Sequence, residues 1–374
     1  MAGSSFGTIL RLTTWGESHG PAIGAVLDGF PAGMPLTEDD IQIYLDRRRP
    51  GQSAVTTSRR ESDRVEILSG VFEGRTTGTP ISLLIRNTSQ RSSDYGDLAD
   101  CFRPGHADYG FQVKYGLRDY RGGGRSSGRE TAGRVAAGAI AAKLLSIMGI
   151  TVTAYVSAIG PVAVPDSVRG MSTAQILAAR DTQTCMPDAD SDREARAWLA
   201  SLREEMDSAG GTVECRIEGL PAGIGDTVFE KLDARLAAAL MSIGAVKAVE
   251  IGDGTAVSAA RGSDNNDAFI PGHDGEGSVA KRTNHSGGIL GGMSDGSPVL
   301  LRAHFKPTPS IAREQETVDT DGNVRRLAIR GRHDPVIVPR AAVVVETMCA
   351  LTVLDAMLLN LSARAENVIG FYRK

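Results

Sequence analysis

Residues 122–131 read Gly122-Gly123-Gly124-Arg125-Ser126-Ser127-Gly128-Arg129-Glu130-Thr131 and run without a break into AGRVAAGAIAAKLLSI at 132–147. In the second part Ala132, Val135, Ala139, Leu144 and Ile147 recur at helical spacing, and the interspersed Ala and Gly allow another element to approach closely. A second long apolar stretch carries Val344, Met348, Leu351, Leu354, Leu358 and Leu361 at the same period. Glu346 and Asp355 interrupt it, and each is costly at a bilayer centre, so it reads as a buried C-terminal helix and not a membrane span. Amphipathic helices are expected at Leu36 to Leu45, Asp192 to Met206 and Thr227 to Leu240. Strand patterns occur at Thr8 to Leu12, Ala22 to Leu27, Val65 to Leu68, Ile81 to Ile85, Val152 to Ile159, Val213 to Ile217 and Val299 to Ala303.

Three landmarks occur twice in the same order, which suggests two pseudo-equivalent halves packed into one domain spanning 1–374. Asp28-Gly29-Phe30-Pro31-Ala32-Gly33 is matched by Glu218-Gly219-Leu220-Pro221-Ala222-Gly223. Gly78-Thr79-Pro80-Ile81 is matched by Gly296-Ser297-Pro298-Val299. Gly124-Arg125-Ser126-Ser127 and Gly331-Arg332-His333-Asp334 each precede one of the two long helices. Turn glycines and prolines also recur by chance, so superposable halves are the test.

Composition narrows the chemistry. The formal net charge is -4 and the pI is near 5.9, which argues against a nucleic-acid binder. Cys101, Cys185, Cys215 and Cys349 lie far apart without paired spacing, so neither a zinc site nor a disulfide framework is expected, and no metal is assigned. The N-terminal stretch lacks the pattern of a signal peptide, and a cytoplasmic location is expected. Glycine accounts for 44 of 374 residues, and many tight loops follow from that.

The loop at 122–131 offers free backbone N–H groups, two hydroxyls, two arginines and the start of a helix, a combination that cradles anions. It fits neither a Walker loop nor a dinucleotide-binding G-x-G-x-x-G after a strand. Gly16-Glu17-Ser18-His19-Gly20 reads as a turn with a titratable His19, and taken alone it is more readily a turn with an exposed histidine. Arg103-Pro104-Gly105-His106-Ala107-Asp108 ends a long polar loop from Asn87 to Asp100. Arg47-Arg48-Arg49-Pro50-Gly51-Gln52-Ser53, with Arg59 and Arg60 beyond, is a basic patch at a helix end. Lys306-Pro307-Thr308-Pro309-Ser310 is a rigid hydroxyl-bearing turn, and Arg330-Gly331-Arg332-His333-Asp334-Pro335 sets a carboxylate beside arginine and histidine. Arg261 to Gly288 lacks periodicity and reads as a long loop or lid. Asp319 to Gly322 reads as a turn between two short strands. A phosphoryl transferase with the same cradle stays open at this level.

These segments, in this order and over nearly the whole chain, resemble the chorismate synthase family: GESHG at 16–20, RRRPGQS at 47–53, RPGHAD at 103–108, DYRGGGRSS at 119–127, GGILGG at 287–292 and GRHDP at 331–335. The resemblance implies an α+β fold, a β-α-β sandwich with helices between two mainly antiparallel sheets, and a homotetramer. It implies a lyase of aromatic amino-acid biosynthesis that eliminates phosphate from 5-enolpyruvylshikimate 3-phosphate to give chorismate. Reduced FMN is required without net redox change, and an external flavin reductant is expected because no reductase domain is appended. Neither a nucleic acid nor a membrane is an expected partner.

By the same resemblance the catalytic residues are His19, His106 and Asp334. Substrate contacts fall to Ser18, Arg48, Arg103, Ser127, Arg129 and Arg332. Flavin contacts fall to Arg125, Ser126, Ser127, Gly244, Ala245, Gly291, Lys306, Pro307, Thr308, Pro309, Ser310 and Arg332. Two positions depart from the family pattern: Ala54 stands where many relatives have an arginine, and Gly244 where an asparagine is frequent.

Overall fold

The computed structural model describes residues 3–51, 61–88, 98–272, 279–329 and 334–373. The first antiparallel sheet holds β1 (Ser5–Phe6), β2 (Arg11–Trp15), β3 (Ala22–Asp28), β4 (Val65–Ser69) and, beyond the small hairpin β5 (Val71–Phe72) and β6 (Arg75–Thr76), β7 (Ile81–Arg86), in the order β1-β2-β3-β7-β4. The second holds β8 (Thr151–Ile159), β9 (Val162–Ala163), β10 (Gly211–Glu218) and β11 (Val246–Ile251). After the hairpins β12 (Phe269–Pro271) with β13 (Val279–Lys281) and β14 (Ile289–Leu290) with β15 (Met293–Ser294), β16 (Val299–Phe305) completes it, in the order β11-β16-β10-β8-β9. A last hairpin pairs β17 (Gln315–Val318) with β18 (Val324–Leu327), so the turn expected at Asp319 to Gly322 is present.

Nine α-helices lie among the described residues. They are α1 (Glu38–Arg48), α2 (Asp108–Tyr115), α3 (Thr131–Ile147), α4 (Thr173–Ala179), α5 (Ala189–Glu204), α6 (Leu232–Met241), α7 (Gly262–Asn265), α8 (Val338–Asn360) and α9 (Ala365–Tyr372). Of these, α3 packs on α8, on β2, β3 and β7 of the first sheet and on β8 of the second, while α8 packs on β8 and β10. The close approach needs glycine: a Cβ on Gly138 would sit 2.4 Å from Thr347 Cβ, and one on Gly133 would sit 3.0 Å from the Gly24 carbonyl oxygen. Alternation decides which strand faces look inward. In β16 Val299, Leu301, Ala303 and Phe305 are buried between less buried Leu300, Arg302 and His304, and in β7 Ile81, Leu83 and Ile85 alternate in the same way.

The repeat read from the landmarks is present in the topology. Each half runs strand, strand, helix, strand, strand, long helix, and the matching strand orders are β2-β3-β7-β4 and β8-β10-β16-β11. The turns agree bond for bond. Gly33 N donates to Thr76 O and Gly223 N to Ser294 O, both at 2.7 Å. Met34 N donates to Thr76 Oγ1, and Ile224 N to Ser294 Oγ. Those hydroxyls donate in turn to Pro31 O and Pro221 O.

Helix α8 is long and apolar enough to cross a bilayer, yet from Ala341 to Ala356 every residue is buried in the core. Its two carboxylates are answered there. Glu346 accepts from Arg47, Arg180 and Ala154 N, and Asp355 accepts from Thr8 N, Ile9 N, Leu10 N and Arg235.

Three sequence expectations are corrected, and two elements carry no clear sequence signal. The strand expected at Thr8 to Leu12 begins at Arg11, because the amides of residues 8–10 are spent on Asp355. The helix expected from Thr227 begins at Leu232, after a segment in which Val228 takes φ 59. Strand β11 and helix α2 lie in stretches without a clear apolar period. Within Arg261 to Gly288 the chain forms α7 and the hairpin β12–β13 instead of a featureless lid, held by Lys281 between Asp267 and Asp295.

Candidate active site

The glycine-rich loop is shaped by positive φ at Gly122, Gly123 and Gly124, at 73°, 87° and 54°. Its backbone slots between two histidines. A Cβ on Gly122 would stand 2.3 Å from His19 Cε1, and one on Gly123 would stand 2.9 Å from His106 Cε1 and 3.1 Å from its Nε2. Only glycine permits both the dihedrals and the approach. Two short 3-10 turns, Gly124–Ser126 and Gly128–Glu130, then lead into α3, with the Ser127 hydroxyl accepting from Arg129 N and the Ser126 hydroxyl donating to Gly123 O. Arg125 reaches back to Gly16 O and Thr14 Oγ1, which ties the loop to the turn carrying His19. Ser18 Oγ lies 3.2 Å from His19 Nδ1.

His106 is held from its other edge. Its Nδ1 is 2.9 Å from Asp108 Oδ1 and 3.0 Å from Arg103 Nη2, so the Nε2 edge faces Gly123. Arg103 also binds Asp108 through Nε at 2.7 Å and Nη2 at 2.8 Å. Arg118 stands behind, with Nη1 3.8 Å from Asp108 and Nη2 on the carbonyls of Leu98, Ala99 and Cys101. Burial opposes ionisation of Asp108, but hydrogen bonds from Arg103 and His106 outweigh it and keep the carboxyl far below the usual range.

A third cluster lies beneath the loop. Asp63, with φ 46, is buried between Arg48 and Arg129. Arg48 further donates to Thr131 Oγ1 and Gly128 O, and Arg129 to Asn87 Oδ1. Burial pushes the Arg48 guanidinium down to about 9 while Asp63 opposes the shift, so it stays charged at neutral pH. Burial would raise the Asp63 carboxyl, and the charges of Arg48 and Arg129 instead hold it low. These two arginines therefore form a buried cationic frame under the cradle, already engaged with protein atoms.

The second half of the chain supplies the far wall. Lys306 Nζ donates to Gly105 O, and a Cβ on Gly105 would touch Pro309 Cβ at 3.2 Å, so the 306–310 turn packs on the turn carrying His106. Lys306 N donates to Ala245 O, which brings Gly244 and Ala245 alongside. Ser208 Oγ donates to Thr308 O, and the neighbouring Ala209 N to Pro335 O. Asp334, one residue earlier, pairs with Arg340, whose Nε donates to Arg48 O. Gly291 lies apart, at the tip of the β14–β15 hairpin that packs against 223–232. Arg332, Ala54, Arg59, Arg60 and most of the Asn87 to Asp100 loop fall outside the described residues.

The residues present fit an anionic cofactor. The Thr308 hydroxyl is buried without a partner among the described residues, and Lys306 and Arg125 supply positive charge. Asp63, Asn87, Asp108, Arg118 and Arg340 join the site without having been singled out by their sequence. Asp108 stands in plain view two residues after His106, whereas Asp63 and Arg340 meet their partners only through the fold.

Comparison with known proteins shows the family. The family described as "Chorismate synthase" matches residues 10–358. A chorismate synthase from Agathobacter rectalis is 56% identical over 100% of both chains, and one from Methanocella arvoryzae is 53% identical over 96% of this chain and 95% of its own. A crystal structure of a chorismate synthase superposes with TM-score 0.74 at 32% identity, covering 98% of this chain and 97% of the other. The chain belongs to the chorismate synthase family, lyases of the shikimate pathway of aromatic amino-acid biosynthesis.

Proposed function

We propose that the chain converts 5-enolpyruvylshikimate 3-phosphate to chorismate and phosphate by anti-1,4-elimination in the presence of reduced FMN. The observation that carries this reading is the loop of Gly122 and Gly123 lying against His19 on one side and His106 on the other. In the proposed step the bond from ring carbon to phosphate oxygen breaks while a proton leaves a second ring carbon. His19 donates a proton to the departing phosphate, with Ser18 beside it. Asp334, working with the bound flavin, accepts the proton lost from the ring, and its carboxylate is paired with Arg340. His106, whose Nε2 edge faces the loop, would stabilise the anion of the bound reduced flavin. Substrate anions meet Ser18, Arg103, Ser127 and Arg332, over the positive field of Arg48 and Arg129. A site for three anionic groups needs such density, since each unpaired buried charge costs several kcal/mol.

When bound, reduced FMN supplies electron density that assists C–O cleavage. Arg125, Ser126, Ser127, Gly244, Ala245, Lys306, Pro307, Thr308, Pro309, Ser310 and Arg332 would hold it, and Gly291 only if its hairpin is approached from another direction. The partnerless Thr308 hydroxyl and the positive charge of Lys306 on the same turn support this assignment. We further assign a cytoplasmic homotetramer that receives reduced flavin from an external reductant and engages neither nucleic acid nor membrane. Exposed Tyr109, Val113 and Leu117 on and beside α2, and Phe371 and Tyr372 at the end of α9, support self-association.

Anaerobic phosphate release from 5-enolpyruvylshikimate 3-phosphate, with and without reduced FMN, tests the reaction. Flavin-dependent release by the wild type that collapses in His106→Ala and Asp334→Ala is the expected result. Absence of release from folded wild-type protein would overturn it.

A further inference from the structure

We infer that Asn87 is a positioning residue that fixes the turn bearing Ser18 and His19 to the arginine frame, and that it acts on the reaction through His19. Asn87 sits just past the end of β7 and is buried. Its Nδ2 donates to both ends of the turn, to Glu17 O at 3.1 Å and to Gly20 O at 2.8 Å. Its Oδ1 accepts from Arg129 Nε at 2.9 Å, and its backbone N donates to Pro21 O at 3.1 Å. The amide orientation follows from these neighbours, because only carbonyl oxygens face one side and a guanidinium faces the other. The turn itself adds a bond from Gly20 N to Glu17 O.

The consequence is geometric. His19 lies on a glycine-bracketed segment between β2 and β3, and its imidazole must stay against Gly122. Through Asn87 the carbonyls flanking Ser18 and His19 are referred to Arg129, then to Asp63 and Arg48, and so to α1 and the start of α3. The cradle and the turn therefore share one rigid reference.

This inference rests on the proposed role of His19, and the test separates the two. Asn87→Asp keeps the oxygen that Arg129 uses but turns the donor that holds Glu17 O and Gly20 O into a second acceptor. Amide exchange over residues 16–22 of the folded protein is measured by mass spectrometry. It is expected to accelerate about tenfold in Asn87→Asp and in Asn87→Ala, with exchange in α3 and α8 unchanged. Phosphate release is expected to fall about tenfold in kcat in both variants with little change in KM. On a His19→Ala background the same substitutions are expected to cost less than twofold, because the effect passes through His19. Unchanged exchange at 16–22, or an equal fold-loss on both backgrounds, overturns the inference. Failure of the wild type to release phosphate would sink the proposed reaction, while accelerated exchange at 16–22 would still support the anchoring of the turn by Asn87.

Discussion

Replacing Gly122 by alanine separates the cost of a strained backbone from the cost of a displaced histidine. At φ 73° an alanine pays roughly 1 kcal/mol for the left-handed region. Its Cβ would also lie 2.3 Å from His19 Cε1 and 2.6 Å from Nδ1, so the imidazole must retreat by about 1 Å to reach ordinary contact. Gly74 provides the control. It has φ 71°, and no atom lies within 4 Å of a Cβ built there, so Gly74→Ala carries the backbone cost alone. Both variants should lose about 1 kcal/mol, a shift of a few degrees in Tm for a chain of this size. A misplacement of about 1 Å at a reacting group is worth about 100-fold in rate. Anaerobic phosphate release should therefore fall about 100-fold in Gly122→Ala and less than twofold in Gly74→Ala. If Gly122→Ala kept more than a third of wild-type kcat/KM, or Gly74→Ala fell equally far, the assignment of His19 to the reacting centre would fail.

Two further outcomes follow from the buried carboxylates. Asp63→Asn leaves Arg48 and Arg129 facing a neutral amide, and removing one partner from such a cluster costs about 3 kcal/mol or more. Urea unfolding monitored by tryptophan fluorescence should show that loss, and a decrease under about 1 kcal/mol would mean the frame is not electrostatically held. For Glu346, burial favours the neutral acid, but Arg47 and Arg180 prevail and bring its pKa down from 4.5 to about 2. A depressed carboxylate stabilises the fold above its unfolded value and ceases to do so as pH falls from about 4.5 toward 2. The Tm advantage of wild type over Glu346→Gln should therefore be full at pH 7 and shrink below about pH 4.5, and a gap that stays constant down to pH 3 would contradict the pairing.

What the sequence discloses follows what each signal depends on. Long helices α3 and α8 and strands β3, β7, β8, β10 and β16 are legible because one apolar face per element sets a local period. Strand β2 starts a few residues later than its pattern suggests because Asp355, some 345 positions away, takes the amides of Thr8, Ile9 and Leu10. No window of sequence contains that partner. The glycine loop is legible as an anion cradle from its composition, but its contact with His19 and His106 is not, since three separated segments must fold to create it. Arg48 and Arg129 read in sequence as groups waiting for an anion, and the fold gives both of them Asp63 as a partner that the sequence does not disclose. Substrate and cofactor come from the resemblance alone, since nothing in periodicity or spacing distinguishes one small polyanion from another.

The two halves share a framework and divide the labour. In the first half, residues 16–21 join β2 to β3 directly, a connection too short to wander, and it carries Ser18 and His19. The matching connection from β8 to β10 spans 160–210 and is filled by β9, α4 and α5. There Val168 and Ile176 pack on Tyr155, whose hydroxyl donates to Glu214 on the second sheet. One copy of the connection has become a tight turn at the site, and the other a cover over a sheet. The site then draws 16–20 and 103–130 from the first half and 306–310 and Asp334 from the second, so its geometry depends on how the halves are set against each other. Helix α8 governs that setting. Its Asp355 grips the amides of residues 8–10 just before β2, and its Glu346 joins Arg47 of the first half to Ala154 of the second. The carboxylates that made this stretch a poor membrane span are thus the ties that keep His19 and His106 in register with Lys306 and Asp334.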